Sequence, residues 1–155
     1  AEGKQAPALK AQSWVGMPVM LERMKGSVVV VHFTAGDGSL AKQQIEAIAA
    51  MNKELASQGV GFVVMCDANA AIKPVQDALA ALKSDVPLGH DMPAEQQETD
   101  GKKPKAQGQT AKSLGVRFYP TTFVIDRNGV VRAAGIKIDR TKELVEKLLA
   151  EEVKP

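Results

Sequence analysis

Cys66 is the only thiol of this chain, and His32 and His90 are its only imidazoles. A single thiol excludes an internal disulfide and cannot by itself make a structural zinc site. Cys66 closes an apolar run, and the Asp67 carboxylate that follows opposes thiolate formation. We therefore expect an inert core thiol. The alternative is a one-cysteine antioxidant or thiol-disulfide oxidoreductase that cycles Cys66 against an external thiol. His32 and His90 each lie in or beside an apolar run, which predicts packing or hydrogen-bonding roles. A metal site would have to draw on His32, His90, Cys66, Asp67 and Asp91, but no pair has the spacing of helical ligands, so no metal and no cofactor is expected. The six methionines are scattered and read as core filler rather than a copper-binding run. Ser39 has no histidine nearby in sequence and is expected to cap a helix. Gly36-Asp37-Gly38-Ser39-Leu40-Ala41 spells Gly-x-Gly-x-x-Ala, and Asp67 falls where a dinucleotide fold carries an acidic residue. Against that reading, four residues separate the valine run from the first glycine, and Asp37 would repel a pyrophosphate. The free N–H groups of this loop suit a small anion or a peptide carbonyl.

The elements that would position these residues alternate. Residues 6–25 are irregular and Pro-punctuated, with Trp14, Val15, Met17, Val19 and Leu21 spaced as in a half-buried hairpin or edge. Val28–Phe33 is a continuous β-branched run, as in a central strand covered on both faces. Ile45, Ile48, Met51 and Leu55 then recur at helical steps up to Gly59. A second strand spans Val60–Asp67, and a second helix carries Ile72, Val75, Leu79 and Leu82 with Pro74 in its first turn. Val86–Leu88 reads as a short third strand. Residues 92–109 are polar, rich in Pro and Gly and charged at Glu95, Glu98, Lys102, Lys103 and Lys105, which predicts a mobile surface loop. Thr110–Leu114 reads as one helical turn. Asp126-Arg127-Asn128-Gly129 between Thr121–Ile125 and Val130–Ala133 is a strong hairpin signal. A final amphipathic helix bears Leu144, Val145, Leu148 and Leu149 and starts near Asp139 or Thr141. This alternation argues for an α/β layered domain with parallel pairing and crossover helices.

Three strings within that order resemble the TlpA-like redoxin branch of the thioredoxin superfamily, of AhpC/TSA-redoxin type. Gly3-Lys4-Gln5-Ala6-Pro7 is similar to the redoxin Gly-x-x-Ala-Pro lead-in. Val28–Phe33 followed by Thr34-Ala35 resembles the strand that enters the active-site loop. Pro120-Thr121-Thr122-Phe123-Val124-Ile125-Asp126 with Gly129 is similar to the family hairpin and is the most specific of the three. The likeness runs from about Gly3 to Leu149. It implies a thioredoxin-like fold, a central mixed β-sheet flanked by helices, over one domain of residues 1–155. Residues 1–27 would form an N-terminal β extension, and residues 92–109 an inserted loop. It also implies a cis proline at Pro120 facing a Cys-x-x-Cys pair, yet the two cysteine positions fall on Gly38 and Ala41. Dithiol exchange needs an activated thiolate and a resolving thiol three residues on, and glycine and alanine supply neither. Peroxiredoxin chemistry fails for the same reason, because no peroxidatic thiol stands in residues 34–39. We expect a redox-inactive, non-catalytic binding or structural module. Its surface would be a groove of Gly36, Asp37, Gly38, Ser39, Tyr119, Pro120 and Thr121 that holds a protein or extended peptide.

With 155 residues, 45% hydrophobic and 25% charged, the chain can bury one sizeable core. A net charge of +2, from 20 basic and 18 acidic residues mixed along the sequence, argues against a nucleic-acid partner. No apolar run reaches the ~18 residues of a membrane span. The chain opens on Ala1-Glu2-Gly3, as chains do after signal-peptide removal, and we expect an exported protein, periplasmic or extracellular.

Overall fold

The computed structural model describes residues 1–36, 38–94 and 107–153. Strand β2 (Val28–Thr34) is buried along its whole length, as an unbroken β-branched run requires. Its even-numbered valines face a cluster with Ile45, Ile48, Val75, Val145 and Leu148. Its odd-numbered residues Val29, Val31 and Phe33 face Ala111, Leu114 and the N-terminal segment. Period-two alternation thus divides one strand between two cores.

Helix α1 (Ser39–Leu55) follows, then β3 (Val60–Cys66), α2 (Lys73–Ala81), β4 (Leu88–Asp91), α3 (Gln109–Leu114), β5 (Thr121–Ile125), β6 (Val131–Ile136) and α4 (Ile138–Leu149). With β1 (Ala11–Val15) at one edge, the strands form one six-stranded sheet in the order β1-β4-β3-β2-β5-β6. β2, β3 and β4 run parallel, as crossover helices dictate, and β5 pairs antiparallel with both β2 and β6. This is the mixed sheet with flanking helices that the sequence implies.

Several elements depart from expectation. Of the hairpin or edge expected in the N-terminal segment, the structure holds the edge: β1 pairs with β4 at one side of the sheet, and a 3₁₀ helix at Leu21–Met24 stands where a hairpin would need its second strand. Residues before β1 instead dock on the other edge of the sheet, where Ala6 N–H donates to Gly129 O at 2.8 Å and Val131 N–H to Lys4 O at 2.9 Å. The third parallel strand starts two residues later than Val86, because Pro87 has no N–H for the ladder. Its carbonyl still accepts the Val64 N–H at 3.0 Å. Helix α4 begins at Ile138, where Thr141 Oγ1 donates back to Lys137 O at 3.0 Å. Of the loop expected over 92–109, residues 95–106 lie outside the described residues. Its two ends are zipped together by Gln109 N–H to Met92 O at 2.7 Å and Ala94 N–H to Gln107 O at 3.0 Å.

Candidate functional site

Register decides where the candidate residues meet. Phe33 on β2 lies opposite Thr121 on β5, so two residues beyond those positions the chain reaches Ala35 on one side and Tyr119 on the other. The loop after β2 and the Tyr119-Pro120 segment therefore share one end of the sheet, and the Tyr119–Pro120 peptide is cis. Cys66 belongs to the same end, paired in register with Thr34 and with His90.

The loop is held from below. Thr34 O accepts the Asp67 N–H at 2.8 Å, and Gly36 is buried against the loop between β3 and α2. A Cβ at Gly36 would stand 3.4 Å from Ala71 O. Gly38 is the N-cap of α1, exposed, at φ +107°. That conformation favours glycine, and nothing stands within 4 Å of where its Cβ would be. Ser39 is the first helical residue, and no side chain caps α1, which corrects the expectation that Ser39 caps this helix. Ala41, at the second vacated position, is buried on the helix. Asp37 lies outside the described residues. A pocket of about 290 Å³ opens beside Gly38 toward Lys42, Pro74 and Ala78, and the Tyr119-Pro120-Thr121 segment does not line it.

Around this end sit buried groups with perturbed titration. Cys66 is fully buried, its Sγ 3.8 Å from Ala71 O. Burial, reinforced by the Asp67 charge, pushes its thiol up to about 12. Tyr119 is held above the ordinary phenol range, first by burial and then by the charges of Asp67, Asp91 and Cys66. Its hydroxyl lies beside the Asp67 carboxylate without a hydrogen bond of normal geometry. His32 accepts or donates at Nδ1 to Thr122 Oγ1 at 2.9 Å, and burial holds its imidazole down to about 4. The Nε2 atoms of His32 and His90 are buried and have no hydrogen-bond partner among the described residues.

Asp91, weighed above as a metal ligand, is instead the cap of α3. Its two carboxylate oxygens accept N–H groups of Thr110 at 2.9 Å, Ala111 at 3.0 Å and Met92 at 2.9 Å. Among the described residues, no group of three His, Cys, Asp or Glu side chains is placed to hold a metal ion. Sequence reasoning missed two residues at this end. Leu40, in the first turn of α1, is 56% exposed, and Phe118, just before Tyr119, is 64% exposed. Their nearness in sequence to the two motifs was the available signal.

This sheet order, with a cis proline at the head of β5 opposite the N-terminus of α1, defines a thioredoxin-like domain. The Redoxin family model matches residues 1–149, and the chain belongs to that family. Among solved structures it is similar to a thioredoxin-like superfamily protein at 17% identity, covering 97% of this chain and 99% of that one, with a TM-score of 0.75. It is similar also to a thiol-disulfide isomerase from Corynebacterium glutamicum, at 18% identity, 95% and 98% coverage and a TM-score of 0.74. A third is the thioredoxin domain of a thiol-disulfide oxidoreductase from Bacteroides vulgatus, at 20% identity, 96% and 98% coverage and a TM-score of 0.72. No curated protein matches the sequence. No helix among the described residues is long and apolar enough to cross a membrane.

Proposed function

We propose that this redoxin is a redox-silent binding module that holds an extended segment of a partner protein at the end of the sheet shared by Gly36, Gly38 and Ser39 and by Tyr119, Pro120 and Thr121. The observation that carries the reading is the fate of sulfur at that end. The two positions of a dithiol hold Gly38 and Ala41, and the one thiol nearby is sealed in the core with its pKa pushed up to about 12. A thiol so buried and so protonated is a poor nucleophile, which also weighs against the one-cysteine enzyme. What remains is a frame with exposed backbone at Gly38 and Ser39, flanked by the exposed side chains of Leu40 and Phe118. Backbone groups of this kind pair with an extended peptide, and apolar side chains at the rim give its residues somewhere to pack.

The reading is tested with peptides selected from a random library on the wild-type protein. Ser39→Trp fills the mouth from an exposed position, and unlike a change at Gly38 it needs no left-handed backbone. Ser39→Trp and the pair Leu40→Ser with Phe118→Ser are each expected to weaken the selected peptides about tenfold or more while melting within a few degrees of wild type. Peptides that bind these variants as tightly as wild type would remove the groove from consideration.

A further inference from the structure

The six methionines divide in space in a way their scatter along the sequence does not suggest. Met51 and Met65 are buried in the core, and Met92 stands apart at the end of β4. The other three, Met17, Met20 and Met24, fall within eight residues and line one surface pocket of about 450 Å³. That pocket lies between the 3₁₀ segment, the start of β3 at Gly61 and Phe62, and the turn at Asp85. It is at the opposite end of β3 from Cys66, and so is independent of the groove proposed above.

Filling a core accounts for Met24, which packs against the core on the N-terminal face of the sheet, but not for the other two. Met17 is 79% exposed and Met20 43% exposed, so much of their apolar surface gains nothing from burial. Two of the three side chains nevertheless start from a fixed backbone. Arg23 N–H donates to Met20 O at 3.0 Å, and Ser27 N–H donates to Met24 O at 2.9 Å. The Met24 methyl is seated over Gly61, in space that a Cβ at that position would take. Met17 is the free arm, an unbranched chain able to swing its sulfur toward the other two.

A thioether is a neutral, soft donor that cannot be protonated in water and has little affinity for hard or borderline cations. Three of them around one pocket suit a soft monovalent ion, and thioether ligation selects Cu(I) among biological metals. Asp85, which lines the same pocket and accepts a hydrogen bond from Asn52 at 2.7 Å, supplies a nearby negative charge. Arg23 lines the pocket as well and opposes it.

We infer that Met17, Met20 and Met24 form a thioether site for Cu(I). The test is anaerobic competition of the whole protein against a chromophoric Cu(I) chelator, with Ag(I) as a redox-inert probe read by the methyl resonances of ¹³C-labelled methionine. One equivalent of Cu(I) should leave the chelator, and Ag(I) should shift three of the six methionine methyls. Met20→Leu and Met24→Leu, which conserve volume, should each weaken binding at least about tenfold. Met17→Leu should do the same, and its exposure keeps folding out of the comparison. Met92→Leu and Cys66→Ser should bind as wild type does. No withdrawal of copper from the chelator, binding that survives all three methionine changes, or binding lost in Cys66→Ser would each overturn the site.

Discussion

At the scale of single residues, Cys66 and His32 show how burial sets chemistry. The Cys66 thiol at about 12 leaves about one molecule in ten thousand ionised at pH 8. We predict that a thiol reagent modifies the native protein only through its transiently opened states, far more slowly than it modifies the denatured protein. Fast labelling of the native protein would return the one-cysteine enzyme to contention. His32 gives a pH dependence with a definite sign. Its folded value of about 4 lies below its ordinary value of 6.5, so the unfolded chain takes up the proton first. The stability this confers is complete above pH 6.5 and is lost as pH falls toward 4, about 3 kcal/mol in all. Denaturant midpoints measured from pH 7 to 5 should fall in wild type and fall less in His32→Asn. Equal slopes would show that His32 is not the group responsible. The burial and raised pKa of Cys66 were legible from the sequence, because a thiol closing a buried strand beside an aspartate has both causes of the shift written next to it. The role of Asp91 was not legible. Two of the N–H groups it receives, those of Thr110 and Ala111, belong to residues 19 and 20 positions further on, and nothing local announces them.

At the scale of elements, α3 is the piece whose existence depends most on one side chain. It is a short helix, Gln109–Leu114, and no side chain of its own flanking residues caps it. Asp91 supplies that cap from β4, while Thr110 Oγ1 binds the backbone of Lys10 on both its N–H and its carbonyl, at 2.8 and 2.9 Å. Gly108 passes so close to the Asp91 carboxylate that no side chain fits at position 108. Asp91→Ala would orphan the Thr110 and Ala111 N–H groups in the buried start of α3, leaving the Met92 N–H to Lys10 O alone, and should cost about 2–4 kcal/mol in chemical denaturation. A loss under about 0.5 kcal/mol would mean that water replaces the carboxylate without penalty. The main strands and helices could be read from periodicity, because β2, β3 and α1 bury whole faces whose spacing is visible in one dimension. The edges could not. The pairing of β1 with β4 and the docking of residues 3–6 on the far edge are long-range choices, and the sequence there carries only half-buried alternation.

At the scale of the whole molecule, the resemblance in three strings predicted the thioredoxin-like arrangement because each string marks a point where the fold constrains the chain: the lead-in, the central strand and the hairpin after Pro120. The proposed working surface is harder to read, since such a groove would draw on backbone from segments about 80 residues apart. Its account rests on Gly38 and Ala41 standing where an exchanging dithiol would stand, within reach of a protein segment laid beside Tyr119-Pro120. The direct test is reduction of insulin by the wild-type protein and by the double variant Gly38→Cys with Ala41→Cys. A side chain at Gly38 has open space but must relax a φ of +107° and ψ of 160°, at about 1–3 kcal/mol, so the double variant's folding is checked by its melting before the assay. With dithiothreitol as the electron source, we predict no rate above the dithiothreitol background for wild type and a measurable rate for the double variant, whose new pair reduces insulin, becomes a disulfide and is returned to the dithiol by dithiothreitol. Turnover by the wild-type protein, or a folded double variant that leaves insulin untouched, would contradict the account.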